Sequence, residues 1–357
     1  MIKKTPFYSK HIELGASMVD FFGFSLPVYY EGINIEHKHV RSSVGVFDVS
    51  HMGQLILEGE QVFSFLQNIT TNDVSKIKMG SVQYSCMTNE HGMVLDDLLV
   101  YKISEKIYML VVNASNTLKI FNWLNAKNTF SVDIKDITMD RGLLAVQGPK
   151  AIDLLQNLTD FDLSSMNSYS FKILKFGGLD NILISTTGYT GSGGFEIYGD
   201  KKNMVKIWDI LFSCSEYNLK PIGLGARDTL RLEMGFCLYG NELSENISPL
   251  EAGLSKIIAF DTNFIGSKAL NKSEIKKELI AFELVDRGIP RKGYTILNEK
   301  NQEIGLVSSG TMSPSLSKGI GLGFINRNSN FNDIFVLVRN KKMLANIVKL
   351  PFYKRNK

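Results

Sequence analysis

The stretch over residues 84–101 constrains the fold more than any other part of the chain. Two runs of β-branched, aromatic and long apolar residues flank an Asn-Glu-His-Gly turn at residues 89–92, which is the pattern of a β-hairpin. The second run contains two adjacent carboxylates, Asp96 and Asp97. Because neighbouring side chains of a strand point to opposite faces, we expect these two carboxylates to lie in different environments.

One of the two carboxylates must share a face with apolar neighbours, either Leu95 and Leu99 or Val94 and Leu98. An ionised carboxylate on such a face costs several kcal/mol unless it is hydrogen-bonded or paired. The hairpin by itself leaves two interpretations open. The pair contains a buried group with a structural or acid–base task, or it lies at a strand end with one Asp in solvent and one Asp capping a turn.

The composition is that of a globular, multidomain protein. A length of 357 residues predicts two or three domains, and contents of 44% hydrophobic and 21% charged residues are ordinary. The net charge of +4 is too small to predict a nucleic-acid or membrane partner. No window of about 18 apolar residues occurs and no apolar signal core follows the N-terminus, so we expect a cytoplasmic protein.

Cysteine and histidine spacing argues against several kinds of site. The three cysteines are far apart and lack a Cys-x-x-Cys spacing, which indicates a reducing compartment. His37 and His39 have no third ligand nearby, so the sequence predicts no metal site. Asp48, Ser50 and His51 are the residue types of a hydrolase triad. Triad members converge through the fold rather than along four residues, so we interpret these three as structural.

Secondary-structure patterns divide the chain. Over residues 54–136, strands and helices alternate around the hairpin, which predicts an antiparallel sheet with helices on one face, an α+β unit of split βαβ, ferredoxin-like type. This segment includes a predicted helix over 115–125 and a predicted strand over 130–134. From residue 279 to 348, short β-like runs separated by turn signals predict a C-terminal all-β barrel or sandwich.

Two glycine-rich segments carry candidate binding residues. Tyr189 and Glu196 flank a glycine run, which is either an ordinary hairpin turn or a place where the backbone approaches a ligand. Arg227 and Arg231 lie four apart on a predicted glycine-opened helix, where they form either a solvated face or part of a site. Asp228 replaces the third glycine of a dinucleotide fingerprint, which argues against a nucleotide fold.

Taken together, seven segments resemble the aminomethyltransferase family, the T-proteins of the glycine cleavage system. They include Phe-Asp-Val-Ser-His-Met-Gly, Gly-Tyr-Thr-Gly and Gly-Leu-Gly-Ala-Arg-Asp-Thr-Leu-Arg-Leu-Glu, and they follow the family's order from residue 5 to 353. The segments are residues 47–53, 96–98, 112–116, 187–196, 223–233, 291–294 and 308–315.

The resemblance implies an α+β fold with three domains in a cloverleaf, built from antiparallel sheets flanked by helices and a C-terminal all-β barrel or jelly-roll-like domain. We expect a first domain over residues 1–53 plus 137–275, a ferredoxin-like domain over 54–136 and the barrel over 276–357. The resemblance also implies a tetrahydrofolate site at the centre of the three domains and no metal.

The implied reaction moves the aminomethyl carbon from the dihydrolipoyl arm of the H-protein to tetrahydrofolate, which gives 5,10-methylenetetrahydrofolate and ammonia. The implied partners are the lipoylated H-protein and, in functional association, glycine decarboxylase (P-protein) and lipoamide dehydrogenase (L-protein). By matching motif, the catalytic carboxylate is Asp97. The implied folate-pocket residues are Tyr84, Leu99, Tyr101, Asn113, Tyr189, Glu196, Arg227 and, at the C-terminus, Arg355.

The resemblance assigns Asp97 to the reaction, and alternation along the strand then sends Asp96 to the opposite face, where we expect a solvated and replaceable carboxylate. Two departures from the family pattern stand out. Ser192-Gly193 replaces a common acidic pair in the glycine turn, and Phe236 replaces a hydroxylated aromatic residue of some relatives.

Alternative functions on the same scaffold remain open at this point. One group is other folate-dependent one-carbon enzymes, such as dimethylsulfoniopropionate demethylases and the folate domains of sarcosine and dimethylglycine dehydrogenases. Another is a non-catalytic folate-binding protein of iron–sulfur maintenance. The presence of Asp97 together with Asn113, Glu196 and Arg227 argues against that last alternative.

Overall fold

The computed structural model describes residues 2–354 and confirms a mixed α+β fold. Over that range the chain divides into two compact units. The first comprises Met1–Gln67, Val74–Tyr84 and Leu98–Asp228. The second comprises Asn68–Asp73, Ser85–Asp97 and Thr229–Lys357.

Eight α-helices and twenty β-strands form within residues 2–354. The helices are α1 (Tyr8–Glu13), α2 (Ile33–Ser42), α3 (Val62–Ile69), α4 (Thr117–Lys127), α5 (Ala151–Gln156), α6 (Lys201–Ser213), α7 (Leu224–Met234) and α8 (Ser267–Lys272). The first ten strands are β1 (Lys3–Lys4), β2 (Ser17–Phe21), β3 (Phe24–Tyr29), β4 (Gly45–Asp48), β5 (Gly53–Glu58), β6 (Val82–Thr88), β7 (Val94–Lys102), β8 (Ile107–Val112), β9 (Asp133–Asp136) and β10 (Arg141–Gln147). The others are β11 (Phe171–Phe176), β12 (Leu179–Ser185), β13 (Gly194–Asp200), β14 (Lys220–Pro221), β15 (Lys277–Leu284), β16 (Thr295–Asn298), β17 (Glu303–Met312), β18 (Gly319–Asn326), β19 (Ile334–Val338) and β20 (Lys341–Val348).

A six-stranded sheet in the first unit, in the order β11-β12-β13-β10-β4-β14, positions the candidate carboxylate Glu196. One face of this sheet carries residues such as Ile184 and Ile197, which are buried in a core with α5 and α6. Glu196 lies on the other face, in register with Ala145 on β10 and Ser185 on β12. The alternation of β13 therefore turns the carboxylate away from the helices.

A five-stranded sheet, in the order β6-β7-β8-β5-β9, contains the predicted hairpin as β6 and β7 and confirms it. A Cβ on Gly53 would lie 2.5 Å from the Thr117 hydroxyl of α4, so the face of β5 that includes Gly53 is the one covered by this helix. Leu99 lies opposite Val111 on β8, and Gln54 of β5 pairs with the same residue. These three side chains therefore lie on the face away from α4.

The second unit contains a closed six-stranded barrel, with the strands in the order β15-β18-β17-β16-β19-β20. Its interior is filled by apolar side chains of alternating positions, among them Phe282, Ile296 and Val336, each with no exposed surface. The β-like runs predicted over residues 279–348 are thus the strands of a barrel, and the sandwich alternative is wrong.

Two predicted elements of the first unit have different bounds in the structure. The strand predicted over 130–134 begins at Asp133, because Ser131 adopts a left-handed φ of 53° and the Asn128 amide bonds both backbone groups of Val132. The helix predicted over 115–125 spans Thr117–Lys127, after a 3₁₀ turn at Ala114–Asn116.

Three end strands of the open sheets, β14, β9 and β11, are short or charged. β14 has two residues, and one of them is Pro221, which has no N–H to donate to a further strand. β9 reads Asp-Ile-Lys-Asp, and β11 carries Lys172 and Lys175 among apolar residues. The barrel has no such terminal strand because it is closed.

Candidate functional site

Glu196 is a buried carboxylate with one oxygen available to a ligand. The residue is 7% exposed, and its Oε2 accepts hydrogen bonds from the Thr187 hydroxyl at 2.5 Å and from the Tyr198 hydroxyl at 3.0 Å. Within residues 2–354, no group donates to Oε1. A buried carboxylate is stable only when its oxygens are satisfied, so Oε1 is suited to accept an N–H from a bound molecule.

Tyr101 is part of the network that orients Glu196. Its hydroxyl lies 2.8 Å from the Tyr198 hydroxyl and 3.2 Å from that of Thr187. Burial, and then the charge of Glu196, raise the pKa of both Tyr101 and Tyr198 above the ordinary value for tyrosine. Both phenols therefore stay protonated and can donate. Sequence reasoning missed Thr187 and Tyr198, although the polar residues at alternate positions 185 and 187, and 196 and 198, were a visible signal.

Tyr189 and Arg227 are brought together by the fold. The Arg227 guanidinium carbon lies 4.6 Å from the centroid of the Tyr189 ring, a cation–π contact between two half-buried side chains. The turn that carries Tyr189 needs glycine at residue 194, where φ is 124° and a Cβ would lie 2.2 Å from the carbonyl oxygen of Val146. The glycine run thus presents an aromatic ring stacked on a cation, beside the strand that carries Glu196.

His51 is a buried, neutral imidazole next to this pair. It is 3% exposed, packs edge-on against Phe21 at 5.5 Å, and its Nδ1 has no hydrogen-bond partner within the described residues. Burial, and then the positive charge of Arg227, lower the pKa of His51 from 6.5 to about 4. The imidazole is consequently uncharged at neutral pH.

Asp48, Ser50 and His51 do not form a catalytic triad. This agrees with their interpretation as structural residues from the sequence. Asp48 Oδ2 lies 2.9 Å from His11 Nε2, and the backbone N–H of Ser50 donates to Asp48 Oδ1 at 3.0 Å. Burial raises the pKa of Asp48, but the hydrogen bonds and charge of His11 outweigh it, so the pKa lies below the ordinary value. Tyr30 donates to or accepts from His11 Nδ1 at 2.8 Å and completes a buried structural cluster.

The remaining predicted pocket residues Tyr84, Leu99 and Asn113, and the predicted catalytic Asp97, are half-buried strand or strand-end positions. Asp97, Leu99 and Tyr101 alternate along β7 and so share one face of that strand. Tyr84 lies on β6, and Asn113 follows the last residue of β8. Arg355 lies outside the described residues.

The expectation that Asp96 is solvated is wrong. Asp96 has no exposed surface, whereas Asp97 is half-buried. Val94 and Leu98, which share the face of Asp96, are also buried. Asp96 therefore lies on the fully buried face of β7. In the second unit, burial first and then the charges of Asp97, Cys237 and Asp96 raise the pKa of the Cys86 thiol.

Arg231 is structural, and the interpretation of a solvated helix face is wrong for this residue. Its side chain is 1% exposed and pairs with the fully buried Glu242 at 3.0 Å. Arg231 also donates to the Ser309 hydroxyl at 2.8 Å, and the Ser308 hydroxyl donates to Glu242 at 2.6 Å. The serine-rich motif at residues 308–315 therefore satisfies buried charges within the second unit.

Residues 2–354 lack the features of a metal site and of a membrane-spanning helix. No group of three or more His, Cys, Asp or Glu side chains is arranged there to hold a metal ion. No helix of that range combines the length and apolar character needed to cross a membrane. The cysteines of the same range form no disulfide.

Comparison with known proteins gives matches along nearly the whole chain. Residues 7–262 match the GCVT N-terminal domain, and residues 277–354 match the glycine cleavage T-protein C-terminal barrel domain. An aminomethyltransferase of Flavobacterium psychrophilum is 49% identical over 360 residues, which cover 99% of this chain and 100% of that protein. An aminomethyltransferase of Bacteroides fragilis is 47% identical over 361 residues, with the same coverage.

A solved structure matches in fold as well as in sequence. The crystal structure of glycine cleavage system aminomethyltransferase T from Bartonella henselae superposes with a TM-score of 0.91 at 29% identity. The superposition covers 99% of this chain and 99% of that one. The likeness therefore extends over the residues of both compact units.

Proposed function

The chain belongs to the aminomethyltransferase family, the T-proteins of the glycine cleavage system, and from this premise we propose the reaction and the residues that perform it. The aminomethyl carbon leaves the sulfur of the dihydrolipoyl arm of the H-protein and is bonded to N5 of tetrahydrofolate. Loss of ammonia and bonding to N10 then give 5,10-methylenetetrahydrofolate and the reduced dihydrolipoyl arm.

The observation that carries the proposal is that the first unit holds both the buried carboxylate of Glu196 and the Tyr189–Arg227 stack. A pterin is a flat heterocycle with several N–H donors, and Glu196 Oε1 is an acceptor that no residue of the described chain uses. An aromatic ring and a guanidinium supply a flat surface and a cation for a ligand that also bears carboxylates. These residues fit tetrahydrofolate.

Asp97 is proposed as the catalytic carboxylate that handles protons as the amine becomes leaving ammonia. Its half-buried position on β7, on the same face of that strand as Leu99 and Tyr101, supports this role. A positioned acid or base of this kind contributes about 10²- to 10⁴-fold to a rate. Tyr84 and Asn113 are proposed as further pocket residues.

The partners and compartment follow from the family. We propose the lipoylated H-protein as the direct partner, in functional association with glycine decarboxylase and lipoamide dehydrogenase, and the cytoplasm as the compartment. The wide spacing of Cys86, Cys214 and Cys237, without a Cys-x-x-Cys pair, supports a reducing environment.

The test measures ammonia and methylenetetrahydrofolate released from aminomethylated H-protein. We expect Asp97→Asn to fold, to bind tetrahydrofolate and to lose about 10²-fold or more of the turnover. Glu196→Ala should raise the Kd for tetrahydrofolate in titration calorimetry. The exposed Asp160→Asn serves as the matched control and should behave like wild type. Near wild-type ammonia release by Asp97→Asn would refute its assignment.

A further inference from the structure

Helix α2 contacts both segments that carry the Tyr189–Arg227 stack. Tyr189 lies on the glycine turn, and Arg227 lies in the first turns of α7. We propose that α2 positions this pair for folate binding, through Arg41 at one end and Glu36 nearer the other. The inference rests on the proposed function, because Arg41 and Glu36 would affect folate binding only through Tyr189 and Arg227.

Arg41 fixes the turn that carries Tyr189. Its Nη1 donates to the carbonyl oxygen of Thr190 at 2.6 Å and to the hydroxyl of Ser192 at 2.7 Å. The turn is further held by the Thr190 hydroxyl, which donates to Gln147 Oε1 at 2.9 Å. Arg41 therefore bonds the backbone of the residue next to Tyr189, and its second bond uses the serine that replaces an acidic residue of the family pattern.

Glu36 fixes the start of the helix that carries Arg227. Its Oε2 accepts the backbone N–H of Gly223 at 2.7 Å, immediately before α7 begins. Its Oε1 accepts three backbone N–H groups of residues 30–32, at 2.6 to 3.1 Å. A carboxylate at a helix N-terminus satisfies donors that lack a partner within the helix, so Glu36 determines where this helix begins.

Glu36 and Arg41 are set into a rigid part of the first unit. Glu36, His37 and Val40 are buried, so the helix has little freedom to shift. Glu36 and Arg41 are five residues apart, about 7.5 Å along a helix axis. One short element therefore determines the relative placement of a ring and a guanidinium that lie in distant parts of the sequence.

The test is a double-mutant cycle read by titration calorimetry with tetrahydrofolate under reducing conditions. Arg41→Ala should raise the Kd by about tenfold, the size expected for a lost bond to a charged donor. In a Tyr189→Ala background, the same change should have no further effect, because Arg41 acts through Tyr189. Glu36→Gln, whose amide has one acceptor oxygen in place of two and so cannot serve both Gly223 and residues 30–32, should likewise lose its effect in an Arg227→Ala background.

Steady-state kinetics with aminomethylated H-protein supply a second measurement. Arg41→Ala should raise KM for tetrahydrofolate and leave kcat within about twofold, because the proposed proton-handling residue is untouched. Arg41→Lys should recover part of the loss. Ser192→Ala, which keeps the arginine and removes one acceptor, should raise the Kd by a smaller factor. Ser42→Ala, an exposed residue of the same helix, is the matched control.

The outcomes separate this inference from the proposed function. A wild-type chain that does not bind tetrahydrofolate would overturn both. Wild-type binding together with an unchanged Kd in Arg41→Ala and Ser192→Ala would overturn the positioning role alone. An equal loss from Arg41→Ala in the wild-type and Tyr189→Ala backgrounds would do the same, since additive effects indicate general destabilisation.

Discussion

Replacement of His51 by phenylalanine should remove a measurable part of the pH dependence of stability. The pKa of His51 is 6.5 in its ordinary state and about 4 in the fold. The unfolded chain therefore binds more protons than the folded one between these values, so the free energy of unfolding falls as the pH drops through this window. The loss attributable to His51 is about 2 kcal/mol at pH 5 and approaches about 3 kcal/mol below pH 4.

His51→Phe keeps the ring that packs edge-on against Phe21 and removes the titrating group. No hydrogen bond at Nδ1 is lost, because that atom has no partner among the described residues. We expect a variant whose free energy of unfolding depends less on pH between 5 and 8 than that of wild type, by about 2 kcal/mol. The contribution of other groups, including Asp48, is common to both proteins.

The assay is urea unfolding followed by tryptophan fluorescence at pH 5, 6.5 and 8. His91→Gln is the control, because His91 is an exposed histidine of the hairpin turn. This variant should keep the wild-type pH dependence. Parallel profiles of wild type and His51→Phe over the whole range would refute the reasoning, because they would mean that burial and Arg227 do not suppress protonation of this imidazole.

Three further predictions concern the folded state and are measured by the same urea unfolding at pH 7.5. Asp96→Asn should lower the free energy of unfolding by about 1 to 3 kcal/mol, since this carboxylate has no exposed surface; an unchanged midpoint would contradict this. Arg231→Met should cost about 3 to 5 kcal/mol by leaving Glu242 buried without its cation, and adding Glu242→Leu should recover much of the loss. Gly223→Ala places a Cβ 2.4 Å from the backbone of Val28, so it should lower the free energy of unfolding by about 1 to 3 kcal/mol. A wild-type urea midpoint for this variant would contradict the expected clash.

Elements set by local periodicity were predictable from the sequence. The hairpin followed from an Asn-Glu-His-Gly turn between two β-rich runs, and the structure has it as β6 and β7. The C-terminal strands followed from their spacing, although closure into a barrel did not, because strand order depends on pairing between distant segments. The family resemblance then brought Tyr189, Glu196 and Arg227 together as candidates before any geometry was known.

The sequence could not tell which carboxylate of the hairpin is buried. Alternation places Asp96 and Asp97 on opposite faces, but both faces of β7 carry apolar residues, so the pattern does not say which face the rest of the chain covers. The roles of Arg41 and Glu36 were also hidden. Their partners on the glycine turn and at the start of α7 lie 149 to 187 residues away, and a polar residue on a helix looks the same whether it meets water or a distant backbone.

The charged and truncated edges of the open sheets have a consequence for how this protein aggregates. Intermolecular strand pairing needs an exposed, uncharged edge, and the lysines of β11, the charges of β9 and the proline of β14 disfavour such pairing at these three edges. The barrel is protected only by closure. β18 and β19 read Gly-Ile-Gly-Leu-Gly-Phe-Ile-Asn and Ile-Phe-Val-Leu-Val, with no charge in either. Opening of the barrel on heating would expose these charge-free segments, so fibril nucleation should start in the C-terminal barrel.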